Sequence, residues 1–179
     1  RLAMLLHDVG KPACKFTGEN VVDHFCGHES VSAQLAEEML RKLKFDNKTR
    51  ERVVTLVKRH GVQIPCQEKS IRRWLGRLGP EAFFQLLEVK RADGMGQACE
   101  LVKDRLAELV KIRELAEEAM AQGQCLTLRD LAVNGRDVMA AGIAPGPEVG
   151  QVLGGLLEHV LSGELPNQRE VLLERINGI

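Results

Sequence analysis

The sequence predicts an all-α protein, a helical bundle followed by a small helical tail. Apolar residues recur at three- and four-residue spacing through most of its 179 residues, the period of a helix packed on one face. Period-two alternation with β-branched enrichment is nearly absent, and only Lys15 to Phe25, with Thr-Gly-Glu-Asn at its centre, reads as a small hairpin. Capping residues and Pro-Gly punctuation mark the ends of the periodic segments.

Taken in order, Arg1 to Leu6 is a helix with Leu2, Leu5 and Leu6 available to one face, and Gly10 and Pro12 end it. With no Met start and no cap before it, the segment looks cut from a longer chain. His28 to Leu43 follows, its stripe being Val31, Leu35, Met39, Leu40 and Leu43, and Asn47 caps a helix whose stripe is Val53, Leu56, Val57 and His60. Ser70 to Leu78 gives a short helix carrying Trp74. Pro80 opens another, with Phe83, Leu86, Leu87 and Val89 leading into Arg91-Ala-Asp93-Gly94. From Ala98 to Ala121 the apolar set Leu101, Val102, Leu106, Leu109, Ile112, Leu115 and Met120 is laced with charge, and Gln122 to Cys125 reads as a linker. Beyond it, Thr127, Asn134 and Asn167 precede short helices, and Gly142-Ile-Ala-Pro-Gly-Pro147 makes a turn ahead of Val149, Val152, Leu153, Leu156 and Leu157. The organisation expected is a bundle over 1–122 and a tail over 123–179.

Composition bounds the function. Hydrophobic residues at 44% and charged residues at 28% are those of a folded globular chain. Lys plus Arg and Asp plus Glu both number 25, so no global field draws in nucleic acid or an anionic membrane. No run of about 18 apolar residues spans a membrane and no leader opens the chain, so a cytoplasmic home is expected. Five widely spaced cysteines without a C-x-x-C pair argue against a disulfide framework and a zinc ribbon. Charge is local instead: Arg41 to Arg77 holds twelve Lys or Arg against three acids, whereas the residues from Leu126 onward hold four Arg against seven acids. The strip suits phosphate contacts. The absence of Tyr and the 3% aromatic content argue against base-stacking platforms for single strands.

The placement of histidines and acids is sharper. His7 and Asp8 are adjacent at a helix end. His28 precedes Val31 and Leu35 by three and seven, His60 follows Val57, Leu56 and Val53 by three, four and seven, and Asp93 follows Val89 and Leu86 by four and seven. All should point inward. One inward histidine is ordinarily a core residue, but an inward carboxylate is costly unless paired or metal-bound, and here two acids and three imidazoles are all expected to face the interior of one helical core. Mixed His and Asp ligands suit a divalent transition metal such as Mn, Fe, Co, Ni or Zn, with Mg also open. The set fits a one- or two-metal hydrolytic site with His7, Asp8, His28, His60 and Asp93 as ligands and Lys11 placed for a phosphate.

These residues resemble the HD superfamily of metal-dependent phosphohydrolases. L-L-H-D-V-G-K-P, G-H-E-S-V, V-K-R-H-G and R-A-D-G follow that family's motif order, with His7, Asp8, His28, His60 and Asp93 at its second and later ligand positions. Its first histidine has no match in this sequence. H-F-C-G-H-E, L-R-K-L-K-F-D-N-K-T, D-L-A-V-N-G-R-D-V-M-A-A-G-I-A-P-G-P-E-V-G and G-E-L-P-N-Q-R-E-V-L-L are similar to the C-terminal part of bacterial CCA-adding tRNA nucleotidyltransferases. The resemblance implies an HD-type module in 1–122, a tRNA-enzyme tail in 123–179, tRNA as partner, and a separate N-terminal nucleotidyltransferase domain, since Gly-Ser and Asp-x-Asp are absent here. Two functions stay open. One is hydrolysis of phosphate esters such as 2′,3′-cyclic phosphates, with Asp8, Lys11, His28 and His60 in catalysis. The other is non-hydrolytic positioning of tRNA. For Asn134-Gly-Arg-Asp137 an architectural role as cap and first turn stands beside a part in holding tRNA.

Overall fold

The structure, a computed structural model, describes residues 1–17, 23–96, 102–122 and 127–178. It is helical, as expected: α1 (Leu2–Leu6), α2 (Lys11–Cys14), α3 (His28–Lys42), α4 (Asn47–Arg59), α5 (Glu68–Leu78), α6 (Pro80–Met95), α7 (Val102–Ala121), α8 (Gly135–Ala140), α9 (Pro147–Leu161) and α10 (Arg169–Asn177), with a 3-10 turn at Leu128–Asp130. The strands β1 (Phe16–Thr17) and β2 (Asp23–His24) pair antiparallel, Phe16 opposite His24, which is the small hairpin the sequence predicts. The centre of that hairpin, the first residues of the Ala98–Ala121 stretch, and the Gln122–Cys125 linker beyond Gln122 lie outside the described residues.

The chain divides into two compact units. The first comprises Arg1–Gln63 and Glu81–Val110, the second Ile64–Pro80 and Lys111–Ile179. In the first, α3 packs on α4, α1 on both, and α2 on α3. The buried stripe of α4 is the predicted one, Val53, Leu56, Val57 and His60. That of α3 differs: Ser32, Ala33, Ala36 and Leu40 are buried, while Met39 and Leu43 are exposed. Small residues face inward because the α1–α2 turn comes very close. The Gly10 N–H donates to Ser32 Oγ at 2.9 Å, and a Cβ on Gly10 would stand 2.6 Å from the Ser32 nitrogen. Gly10 is there for that approach, since its φ of −85° is open to any residue.

Three local expectations need correction. Leu5 is 73% exposed, and Ala3 and Leu6, one helical turn apart, carry the buried face of α1 instead. Pro12 starts α2 at its second position, where a missing N–H costs nothing, instead of ending α1. Asp46, not Asn47, caps α4, its carboxylate accepting from both the Thr49 N–H and hydroxyl. In α7 the buried residues are Ile112, Ala116 and Ala119, and Met120 is exposed.

The second unit has its own core of Leu131, Val133, Val138, Leu156, Val160, Leu172 and Ile176. The Asn134–Asp137 segment is a capping box: Asn134 accepts from the Arg136 N–H, and Asp137 accepts from the Asn134 N–H. Arg169 on α10 grips the same Asp137 and the Ala132 carbonyl, so the Asn134 and Asp137 side chains are engaged in architecture. Asn167 does not cap α10. It bridges the Ala132 N–H and the Asp130 carbonyl.

Candidate metal centre

Four helices of the first unit deliver the five predicted ligands to one place. His7 follows the last residue of α1, Asp8 stands in the turn before α2, His28 opens α3, His60 caps the end of α4, and Asp93 lies in the last turn of α6. His28 starts its helix cleanly because Gly27, at φ 77°, takes the left-handed conformation before it. His7 Nε2 lies 3.1 Å from Asp8 Oδ2 and 3.4 Å from Asp93 Oδ1. His28 Nε2 lies 3.3 Å from Asp8 Oδ1 and 3.3 Å from His60 Nε2. Ligand atoms of His7, Asp8 and His60 all fall within 4.8 Å of one another, and those of His28, Asp8 and His60 are closer still, with His60 Nε2 3.8 Å from Asp8 Oδ1. His28 joins through Asp8 and His60, and Asp93 joins through His7. The structure brings the five side chains together but does not turn them all into the core. Only His60 is buried; the Asp8 and Asp93 side chains keep 32% and 27% of their exposure, so the centre sits at the edge of the core, where a substrate can reach it.

The hydrogen bonds decide which way each ring presents itself. Nδ1 of His7 bonds the Met4 carbonyl at 2.8 Å, Nδ1 of His28 the Phe25 carbonyl at 2.8 Å, and Nδ1 of His60 the Val57 carbonyl at 2.6 Å. A carbonyl only accepts, so all three Nδ1 atoms donate, and a neutral ring then turns a lone pair on Nε2 toward the centre. His60 is held below the usual histidine range by burial, with His7 and His28 adding to it against the pull of the Val57 carbonyl and Asp8. Asp8 is ionised: burial works against its charge, but the Lys11 hydrogen bond and the charges of His7, Lys11 and His28 keep it below the usual carboxylate range. Its Oδ1 is buried and has no hydrogen-bond donor. Lone pairs on His28 and His60 face that oxygen and each other at distances where only a shared proton or a cation relieves the repulsion. The donor set therefore fits a divalent cation.

Lys11 Nζ lies 2.6 Å from Asp8 Oδ2, and both side chains are partly exposed. Two residues escaped sequence reasoning. Lys90 donates from Nζ to the His60 carbonyl at 2.7 Å and to the Val62 carbonyl, tying the end of α4 to α6 three residues before Asp93. Burial pushes its ammonium down to about 8, with Asp93 opposing. Its signal was a lysine one helical turn before an inward aspartate. Ser32, fully buried one turn after His28, was hidden because serine carries no apolar signal.

Comparison with known proteins places the chain in a family. Residues 19–176 match the family model described as tRNA nucleotidyltransferase domain 2. The chain belongs to that family. It is 33% identical to the CC-adding tRNA nucleotidyltransferase of Thermus thermophilus and 33% identical to the A-adding tRNA nucleotidyltransferase of Deinococcus radiodurans, each over 95% of this chain. It is 37% identical to the CCA-adding enzyme of Levilactobacillus brevis over 42% of this chain and 20% of that enzyme. The chain spans 38% and 39% of the length of the first two relatives. No solved structure matches it. Among the described residues no helix is long and apolar enough to cross a membrane.

Proposed function

We propose that this chain is the C-terminal portion of a tRNA-end nucleotidyltransferase and that its first unit is an HD-type phosphohydrolase acting on nucleotide or RNA-end phosphate esters. The reading takes residues 1–122, within which that unit lies, as the hydrolytic module and 123–179 as the tail, with tRNA as partner, an N-terminal nucleotidyltransferase domain on the same protein, and the cytoplasm as compartment. The observation that supports it most is the donorless Asp8 Oδ1 facing Nε2 atoms whose rings are fixed from behind by three backbone carbonyls.

His7, Asp8 and His60 would hold a divalent ion, such as Mn, Fe, Co, Ni or Mg, with Asp93 and His28 on its two flanks. Bound there, the ion supplies a water made acidic enough to attack near neutral pH and a charge that neutralises a phosphate oxygen. Everything else falls to the protein. Asp8, ionised and with one oxygen short of donors, would orient the attacking water by accepting a hydrogen bond from it. Lys11 Nζ, at the open side, donates to a second phosphate oxygen and stabilises the charge that develops in the transition state. His60 is buried and neutral, which makes it a ligand. His28, whose Nε2 lone pair lies beside Asp8, would take up the proton that the attacking water loses and hand it to the leaving oxygen.

The test is hydrolysis of a nitrophenyl phosphodiester and of 2′,3′-cyclic AMP with Mn, Ni or Mg added. Turnover that is lost in Asp8→Ala with the fold intact supports the reading. No turnover with any of these metals on either substrate rejects it and leaves tRNA positioning as the function.

A further inference from the structure

We propose that Glu29 is a positioning residue of the His–Asp centre: its side chain, seated on Gly61, sets the separation of His28 from His60. This rests on the metal-centre reading above and adds to it a residue outside the five ligands and Lys11.

Glu29 follows His28 and Gly61 follows His60, so the residue after one histidine lies against the residue after the other. A Cβ on Gly61 would collide with Glu29 Oε1 and stand 3.1 Å from its Cδ and 3.2 Å from its Cγ. Gly61 is not among the glycines in the left-handed region, so its backbone does not call for glycine; the space that Glu29 fills does. Glu29 stands in the first turn of α3, where a negative charge suits the positive end of the helix dipole. Its side chain is 30% exposed, so the carboxylate keeps contact with water while it lies on the glycine. Its Oε2 is 3.6 Å from Nδ1 of His28, too far for a hydrogen bond, and that Nδ1 already donates to the Phe25 carbonyl. Glu29 therefore holds His28 by where it sits, not by bonding the ring.

The contact stands where the centre needs a spacer. The Nε2 atoms of His28 and His60 are 3.3 Å apart and both carry lone pairs there, so nothing between the rings draws them together until a cation does. A donor set has to be held within about 0.5 Å of its working geometry to bind well. On the α6 side, Lys90 fixes the turn after α4 through the His60 and Val62 carbonyls. Glu29 meets the same turn from α3, at the residue between those two carbonyls.

The test uses the full chain and its variants Gly61→Ala, Glu29→Ala, Glu29→Gln and Glu29→Ala with Gly61→Ala. Ni binding is read by isothermal titration and, without metal, the approach of the His28 and His60 ring protons by NMR cross-relaxation. Gly61→Ala and Glu29→Ala should each weaken Ni binding about tenfold or more and lower the cross-peak. Glu29→Gln, which fills the same space, should stay close to wild type. The double variant should bind no more weakly than Glu29→Ala, because the added methyl then meets nothing. Ni bound in this pattern without turnover of any ester supports the spacer while the hydrolytic reading falls. Unchanged binding in Gly61→Ala, losses that multiply in the double variant, or equal losses in Glu29→Gln and Glu29→Ala would overturn it. If wild type binds no Ni, the metal reading falls and the cross-peak decides: lowered in Gly61→Ala it supports the spacer, unchanged it overturns it. If Gly61→Ala does not fold, Glu29→Ala against Glu29→Gln makes the same decision.

Discussion

Asp8 is the residue on which the account turns. Its Oδ2 accepts from Lys11 and lies 3.1 Å from His7 Nε2, and its Oδ1 has no donor among the described residues. Asp8→Ala should weaken binding of Mn or Ni roughly a hundredfold or more, since loss of mere supporting groups around a metal already costs about 10–100-fold; isothermal titration reads this, and unchanged affinity would contradict the assignment. Gly10 is the second decisive residue, because a methyl group there meets the backbone of Ser32 and the His28 carbonyl, neither of which can swing away. Gly10→Ala should cost about 1–3 kcal/mol in urea unfolding and weaken metal binding, since the same shift moves Asp8 off His28. A fully stable Gly10→Ala protein would show that α3 can recede.

At the scale of elements, Lys90 shows how two helices share one site. With its bonds to the last carbonyls of α4, it sets the distance between His60 and Asp93. Lys90→Met should weaken metal binding about 10–100-fold while the far-ultraviolet circular dichroism stays native. In the second unit, Glu164 accepts from His159 at 2.7 Å, from Ser162 and from Lys69, and these bonds lower its pKa from 4.5 to about 2. A depressed carboxylate stabilises the fold fully above its unfolded pKa and loses that contribution as pH falls through the folded one. The melting difference between wild type and Glu164→Gln should therefore be full above pH 4.5 and close between 4.5 and 2; a difference that grows with acid would contradict this. What the sequence showed at this scale was periodicity. It placed His28, His60 and Asp93 on the inward faces of α3, α4 and α6 because each follows or precedes apolar residues by whole turns. It could not show that α3 turns alanines and a serine inward, or that Asp46 outcompetes Asn47, since both depend on what approaches from elsewhere in the chain. Nor could it show α5 packing on α9, a contact between segments about eighty residues apart.

For the whole molecule, the basic strip counted along the sequence divides between the two units. In the second, Arg73 and Arg77 of α5 pair with Glu158 of α9, and Lys69 pairs with Glu164, so the acidic tail already uses them. In the first, Arg50 and Arg52 pair with Glu37 and Glu81, while Lys42, Lys44, Lys48 and Lys58 have no ion pair among the described residues. RNA contact is therefore expected at the turn between α3 and α4. Lys44→Glu with Lys48→Glu should weaken tRNA binding and reduce the slope of its logarithm against log salt by about two, whereas Arg73→Glu should loosen α5 from α9 and leave that slope alone. Filter binding across a salt series separates the two, and an effect from Arg73→Glu alone would put the RNA on the other unit.

The most direct measurement is elemental analysis of the chain after equilibration with Mn or Ni and removal of unbound ion, with Asp8→Ala beside it. The account predicts about one or two ions per chain, lost in the variant. Absence of bound ion, or equal retention by Asp8→Ala, would contradict it and return the histidines and aspartates to a structural role.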